Sequence, residues 1–119
     1  TQIDLTERTM RLPPNSEVKP EKITEYLLKP RSRNDKSKFL IELGYNIENW
    51  QVLQADILSQ ILPIDAKLDE KTAYGDMYKI MTDLTGPNGN TRKVLTFWLL
   101  NTILGTAHLV TMYPAKGDE

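Results

Sequence analysis

No cysteine occurs in the 119-residue chain, and histidine occurs once. The first absence rules out disulfides, thiolate metal centres, cysteine nucleophiles and iron–sulfur clusters. The second removes every two-histidine metal motif, so neither a metal site nor a cofactor is expected. No apolar run approaches the ~18 residues of a spanning helix. Residues 1–9 alternate polar and charged side chains and lack a signal-peptide core. No membrane association is expected, and a cytoplasmic location is the natural expectation for a cysteine-free chain. Charge of one sign is also missing. Fifteen Lys and Arg oppose sixteen Asp and Glu, for a net charge of −1, so no global field draws the protein to nucleic acid or membrane. There is no internal repeat, no nucleophile elbow and no P-loop. Asp65, Asp69, Glu70 and Asp76 lack the spacing of a calcium loop.

What the chain has is the composition of an ordinary globular domain, 39% apolar and 26% charged. Its length suits one domain over 1–119, with a core at about 8–114 and a tail at 115–119. A short edge strand is predicted over Arg8–Leu12, with Met10 and Leu12 facing inward, before Pro13-Pro14 stops it. Pro20 is tolerated at a helix start, and Ile23, Tyr26 and Leu27 then fall at helical spacing over 21–28. Asn34 or Asp35 can cap a second helix carrying Phe39, Leu40 and Leu43, which Gly44 terminates. Asn46 can cap the third and longest helix, whose stripe includes Ile47, Trp50, Leu53 or Ala55, Ile57 and Ile61, with Val52, Leu58 and Leu62 widening it. Pro63 ends that helix.

From residue 66 the period of burial changes to two. Lys67–Thr72 reads as an exposed strand, and Tyr78, Ile80, Thr82 and Leu84 alternate with Lys79, Met81 and Asp83. Gly86-Pro87-Asn88-Gly89 predicts a hairpin, Asn88-Gly89 being suited to a tight primed turn. Val94–Leu100 is apolar on both parities, as befits a central strand. His108–Tyr113 forms the last strand, ended by Pro114. The expected class is α+β, with three N-terminal helices on one face of a four-stranded antiparallel meander.

Several short motifs recur in order: Lys22-x-x-x-Tyr26-Leu27-Leu28-x-Pro30, Lys36-x-x-Phe39-x-x-x-Leu43-Gly44, Trp50, Tyr74-Gly75-x-x-Tyr78, Gly86-Pro87-Asn88-Gly89, Trp98, and Leu109-Val110-Thr111-x-Tyr113-Pro114. Over about residues 10–114 these resemble a small, uncharacterised bacterial domain family, which brings no assigned activity with it. The layout is also similar to ribonuclease toxins of the barnase, colicin and RelE-like type, a likeness of architecture alone.

Chemistry concentrates in two places. Lys29, Arg31, Arg33, Lys36 and Lys38 put five cations against Asp35 alone, so the segment carries +4 and the remainder of the chain −5. This run leads into a helix N-terminus, and with Arg92 and Lys93 it could hold phosphates. A solvated surface is the simpler use of the same lysines. His108 can serve as general acid or base, with Lys93, Thr111 and Tyr113 as further catalytic candidates and Lys79 beside them. Strand parity sets His108 with Val110 and Met112, and Thr111 with Tyr113 and Leu109. Phe97 and Trp98 face opposite sides, so no aromatic platform for RNA is expected. Two functions stay open. One is an RNA-directed, ribonuclease-like domain, and the other is a non-enzymatic module bound to a protein partner through apolar residues such as Ile103 and Leu104. Oligomeric state is left open.

Overall fold

The computed structural model describes residues 9–29 and 37–115. Asn34, Asp35, Arg31, Arg33 and Lys36, together with the tail from 116, lie outside them. Ala115 is no frayed end, because it is buried and its N–H donates to the Lys93 carbonyl at 2.9 Å.

The short strand β1 (Thr9–Met10) opens the described chain. The helical turn α1 (Pro20–Lys22) follows and widens into a π-turn over Ile23–Leu27, closed by Leu28 N–H on the Ile23 carbonyl at 2.8 Å. Next come α2 (Ser37–Glu42), a 3-10 turn (Ile47–Asn49) and α3 (Trp50–Asp56), which widens into a second π-turn over Ile57–Ile61 just before Pro63. Asn46 caps the 3-10 turn as expected. Its side chain accepts from Glu48 and Asn49 N–H while the Asn49 side chain accepts from the Asn46 N–H. The strands β2 (Ala66–Thr72), β3 (Gly75–Thr85), β4 (Thr91–Asn101) and β5 (Thr106–Pro114) are the expected meander, and β1 adds a fifth strand outside β2.

The sheet has one buried face. Ile80, Leu84, Val94, Trp98, Leu109 and Met112 point to the helices and join Ile23, Leu27, Leu40, Leu53, Ile57 and Ile61 in one core. Trp98 Nε1 donates to Thr96 Oγ1 at 2.9 Å, and that hydroxyl donates to the Ile80 carbonyl at 3.1 Å, so the polar atoms under the helices are satisfied. Three apolar residues expected to face inward miss this core: Met10, Ile47 and Val52, the last of these 40% exposed on α3. Met10 is 38% exposed, because among the described residues only Thr9 and Met10 pair before the chain leaves the strand and buries Leu12 instead. Ile47 is 52% exposed, since the 3-10 turn rotates it off the stripe that α3 continues.

The far end of the hairpin is bolted to α2. Gly44 ends α2 at φ 100°, and the turn sits against it. The side-chain amides of Asn88 and Asn90 both donate to the Glu42 carbonyl, at 2.9 and 3.1 Å, supplying an orphan acceptor of the helix C-terminus. The turn itself is closed by Gly89 N–H on the Gly86 carbonyl, with Pro87 and Asn88 central, so the loop is the ordinary Pro-led kind rather than a two-residue primed turn.

Beside it, buried Tyr45 donates to Asp56 Oδ2 at 2.6 Å and lies 3.3 Å from the Thr85 carbonyl. Burial, and then the bond to Asp56, push the phenol pKa far upward. Tyr45→Phe is expected to lower stability by about 1.5 kcal/mol in urea titrations, the lower end for a hydrogen bond to a charged group. A loss too small to measure would show that this bond does not anchor α3.

Candidate functional site

The ladder registers define cross-strand rows on the sheet face away from the core. Met77, Leu99 and His108 form one row, and Lys67, Lys79, Phe97 and Thr111 the next. Met81, Leu95 and Tyr113 form a third, and Asp83 with Lys93 a fourth. Side chains on this face are half-buried or exposed, except Thr111, which is buried. All four catalytic candidates, His108, Thr111, Tyr113 and Lys93, therefore belong to one face.

This corrects the parity assigned from sequence. Phe97 pairs with Thr111 but Trp98 pairs with Leu109, leaving Val110 as the extra residue of a β-bulge. A bulge moves everything beyond it by one step, so Thr111 and Tyr113 turn to the side His108 already faces, and Met112 turns inward. Phe97 and Trp98 face opposite sides, as expected, and the bulge brings Tyr113 beside Phe97. The Phe97 ring centroid lies 6.0 Å from that of Tyr113, edge to face at 84°.

The outer rim of β5 is covered by the chain before and within α1. Glu17 N–H donates to the Ala107 carbonyl, and Leu109 N–H donates to the Glu17 carbonyl, which holds Glu17 beside His108. Lys19 and Lys22 follow on the same segment. The His108 imidazole has its pKa lowered, first by burial and then by the charges of Lys19 and Lys22, against an opposing pull from Glu17. Lys22 Nζ lies 4.9 Å from the centroid of the Tyr26 ring, and the Tyr26 hydroxyl is 2.9 Å from Thr111 Oγ1. A neutral imidazole, two ammonium groups and a pair of linked hydroxyls thus meet along one rim. Sequence reasoning missed Lys19, Lys22 and Tyr26, because more than eighty residues separate them from β5. The one local signal was the i,i+4 spacing of Lys22 and Tyr26, which aligns them on a helix.

The remaining candidates do not converge there. Counting along β4 at ~3.4 Å per residue, Lys93 lies about 20 Å from the His108 row and Tyr113 about 14 Å from it. Arg92 has the opposite parity to Lys93, and its guanidinium lies 3.4 Å from Glu42 Oε1. Lys29 is 3.7 Å from Glu25, and Lys38 is exposed on α2. Arg31, Arg33 and Lys36, and with them the centre of the basic run, are outside the described residues. Among the described residues no cluster of acidic, histidine or cysteine side chains could hold a metal ion.

A family model described as a domain of unknown function, DUF6883, matches residues 13–116. The chain belongs to that family. The match spans the flanking segment, all three helices and β2 to β5, so both sides of the rim lie within it. No curated protein gives a significant match. Among solved structures, the fold is similar to one chain of a contact-dependent growth inhibition toxin–immunity protein complex from Klebsiella pneumoniae 342. The TM-score is 0.61 at 19% identity, covering 87% of this chain and 96% of the other. At that identity the likeness is one of fold.

Proposed function

We propose that this member of DUF6883 is an RNA-directed domain of ribonuclease type, acting at the rim of β5. The observation that carries the reading is the meeting of His108, Lys19, Lys22 and the Tyr26–Thr111 hydroxyl pair along the outer rim of β5. Neutral His108 takes the proton from a ribose 2′-hydroxyl. The 2′ oxygen then bonds to the adjacent phosphorus, and the 5′ oxygen leaves, accepting a proton from solvent. Lys19, Lys22 and the hydroxyls offset the negative charge that builds on the phosphoryl oxygens. The products are a 2′,3′-cyclic phosphate and a free 5′-hydroxyl. Anion binding by Lys29, Arg31, Arg33, Lys36 and Lys38 belongs to the same proposal as an approach surface for the phosphate backbone.

Purified protein is therefore expected to cleave tRNA or mRNA without added metal, leave DNA of the same sequence intact, and lose binding steeply with salt. Intact RNA after prolonged incubation, or equal cutting of DNA, would sink the reading.

A protein-binding module is the second reading. It is favoured by the end of the sheet where Ile103 and Leu104 are 92% and 72% exposed and Tyr74 is 83% exposed. The fold neighbour is itself part of a two-protein complex, which fits a protein partner of either reading. The same RNA incubation decides between them.

A further inference from the structure

We propose that Phe97 and Tyr113 form a stacking subsite for an unpaired nucleotide of the RNA strand, which makes single-stranded segments the preferred substrate. The inference rests on the ribonuclease reading and adds a specificity element to it. Three observations converge on the pair.

The first is geometric. Rings held edge to face leave a right-angled corner, where a flat base can stack on one ring and meet the edge of the other. Tyr113 is 42% exposed, so its part of the corner faces solvent.

The second is the neighbourhood. Lys79 is the direct cross-strand neighbour of Phe97, and Lys67 is the neighbour of Lys79. With Asp65, Met81 and Leu95 these lysines line a hollow of about 550 Å³ next to the rings. An apolar floor with ammonium groups at its rim suits a base and its phosphate. A purely apolar protein segment would cover the ammonium groups without using them. Lys79 is 3.7 Å from Asp69, but both side chains are about one-third exposed and the pair can open to a phosphate.

The third is the bulge. Without the extra residue at Val110, Tyr113 would face the core and His108 the solvent. With it, both face one strand of RNA, and the roughly 14 Å between their rows spans a few nucleotides. A duplex cannot present its bases to the corner without unstacking, whereas an unpaired strand can.

As a plain cross-strand contact the pair would contribute only to stability, so the test reads binding. Fluorescence anisotropy with a labelled oligoribonucleotide, 2′-O-methylated to block cleavage, compares its single-stranded form with the same sequence in a duplex. The single strand is expected to bind at least tenfold more tightly. Tyr113→Leu should lose about tenfold of that affinity, while Tyr113→Phe keeps it. Equal binding of single strand and duplex overturns the subsite, and so does a Tyr113→Leu variant that melts cooperatively yet binds the single strand as wild type does. If wild type binds neither form and leaves natural RNA intact, the ribonuclease reading itself has failed. If wild type cleaves RNA but Tyr113→Leu makes no difference to binding, only the stacking subsite has.

Discussion

Replacing His108 with Gln is expected to reduce RNA cleavage by roughly 100- to 10,000-fold, the range typical for loss of a positioned general base. The domain should stay folded, because the imidazole is half-buried on the open face and not part of the core. The pH dependence carries a sign. Burial, Lys19 and Lys22 lower the His108 pKa, so the imidazole remains neutral, and able to accept a proton, to a pH below the ordinary value near 6.5. The acid limb of kcat/KM should accordingly lie below 6.5 and vanish in the Gln variant. Stability follows the same linkage. A group whose folded pKa is depressed binds protons more readily when unfolded, so His108 destabilises the fold as pH drops from 6.5 through the folded pKa. A His108→Gln enzyme that cleaves at the wild-type rate would remove His108 from the chemistry.

The second large effect concerns a glycine whose backbone is unstrained. Gly86 is buried, and a Cβ there would overlap the Leu43 carbonyl oxygen and press on the Leu43 side chain. Relief requires lifting the hairpin from α2, which breaks the Asn88 and Asn90 bonds to the Glu42 carbonyl and separates Arg92 from Glu42. Overpacking alone costs about 1–3 kcal/mol, and the orphaned helix carbonyl adds to it. Gly86→Ala is therefore expected to lose about 3 kcal/mol or more, a large part of the ~5–15 kcal/mol that holds a domain together. Gly89, three residues on, is the control. Its φ of 90° disfavours a side chain, but nothing lies within 4 Å of its Cβ position. Gly89→Ala should cost about 1–2 kcal/mol from the left-handed backbone alone. Thermal melts that place the two variants together would show that the turn is not packed as described.

The alternation of β3 was legible because a half-buried strand writes its two faces into every second residue. Tyr78, Ile80 and Leu84 are in, while Met81 and Asp83 are out. The apolar run of β4 was legible as a central strand. Its second face, however, is not covered by a helix: Leu95, Phe97 and Leu99 are half-buried by neighbouring strands on either side. The bulge in β5 left no trace in the letters. Leu109, Val110 and Thr111 are all good strand residues, and nothing local says which of them lacks a partner. That single unseen residue reversed the facing of Thr111 and Tyr113, and with it the composition of the site. The contribution of Lys19, Lys22 and Tyr26 was hidden for a different reason. It depends on a contact between the first and last parts of the chain, which periodicity cannot report. By contrast Gly44 and Asn46 spoke plainly, since a helix end demands a left-handed residue and a cap demands a short polar one.

The stretch from Thr9 to Val18 behaves like a belt. Its first end joins the sheet outside β2 and its second end joins outside β5, so one short segment fastens both margins of the same sheet. Neither fastening point exists until residues 66 and 107 have been made, and so this segment is among the last parts of the domain to find its place. Until the buckle closes, two long strand margins stand open to any extended peptide nearby.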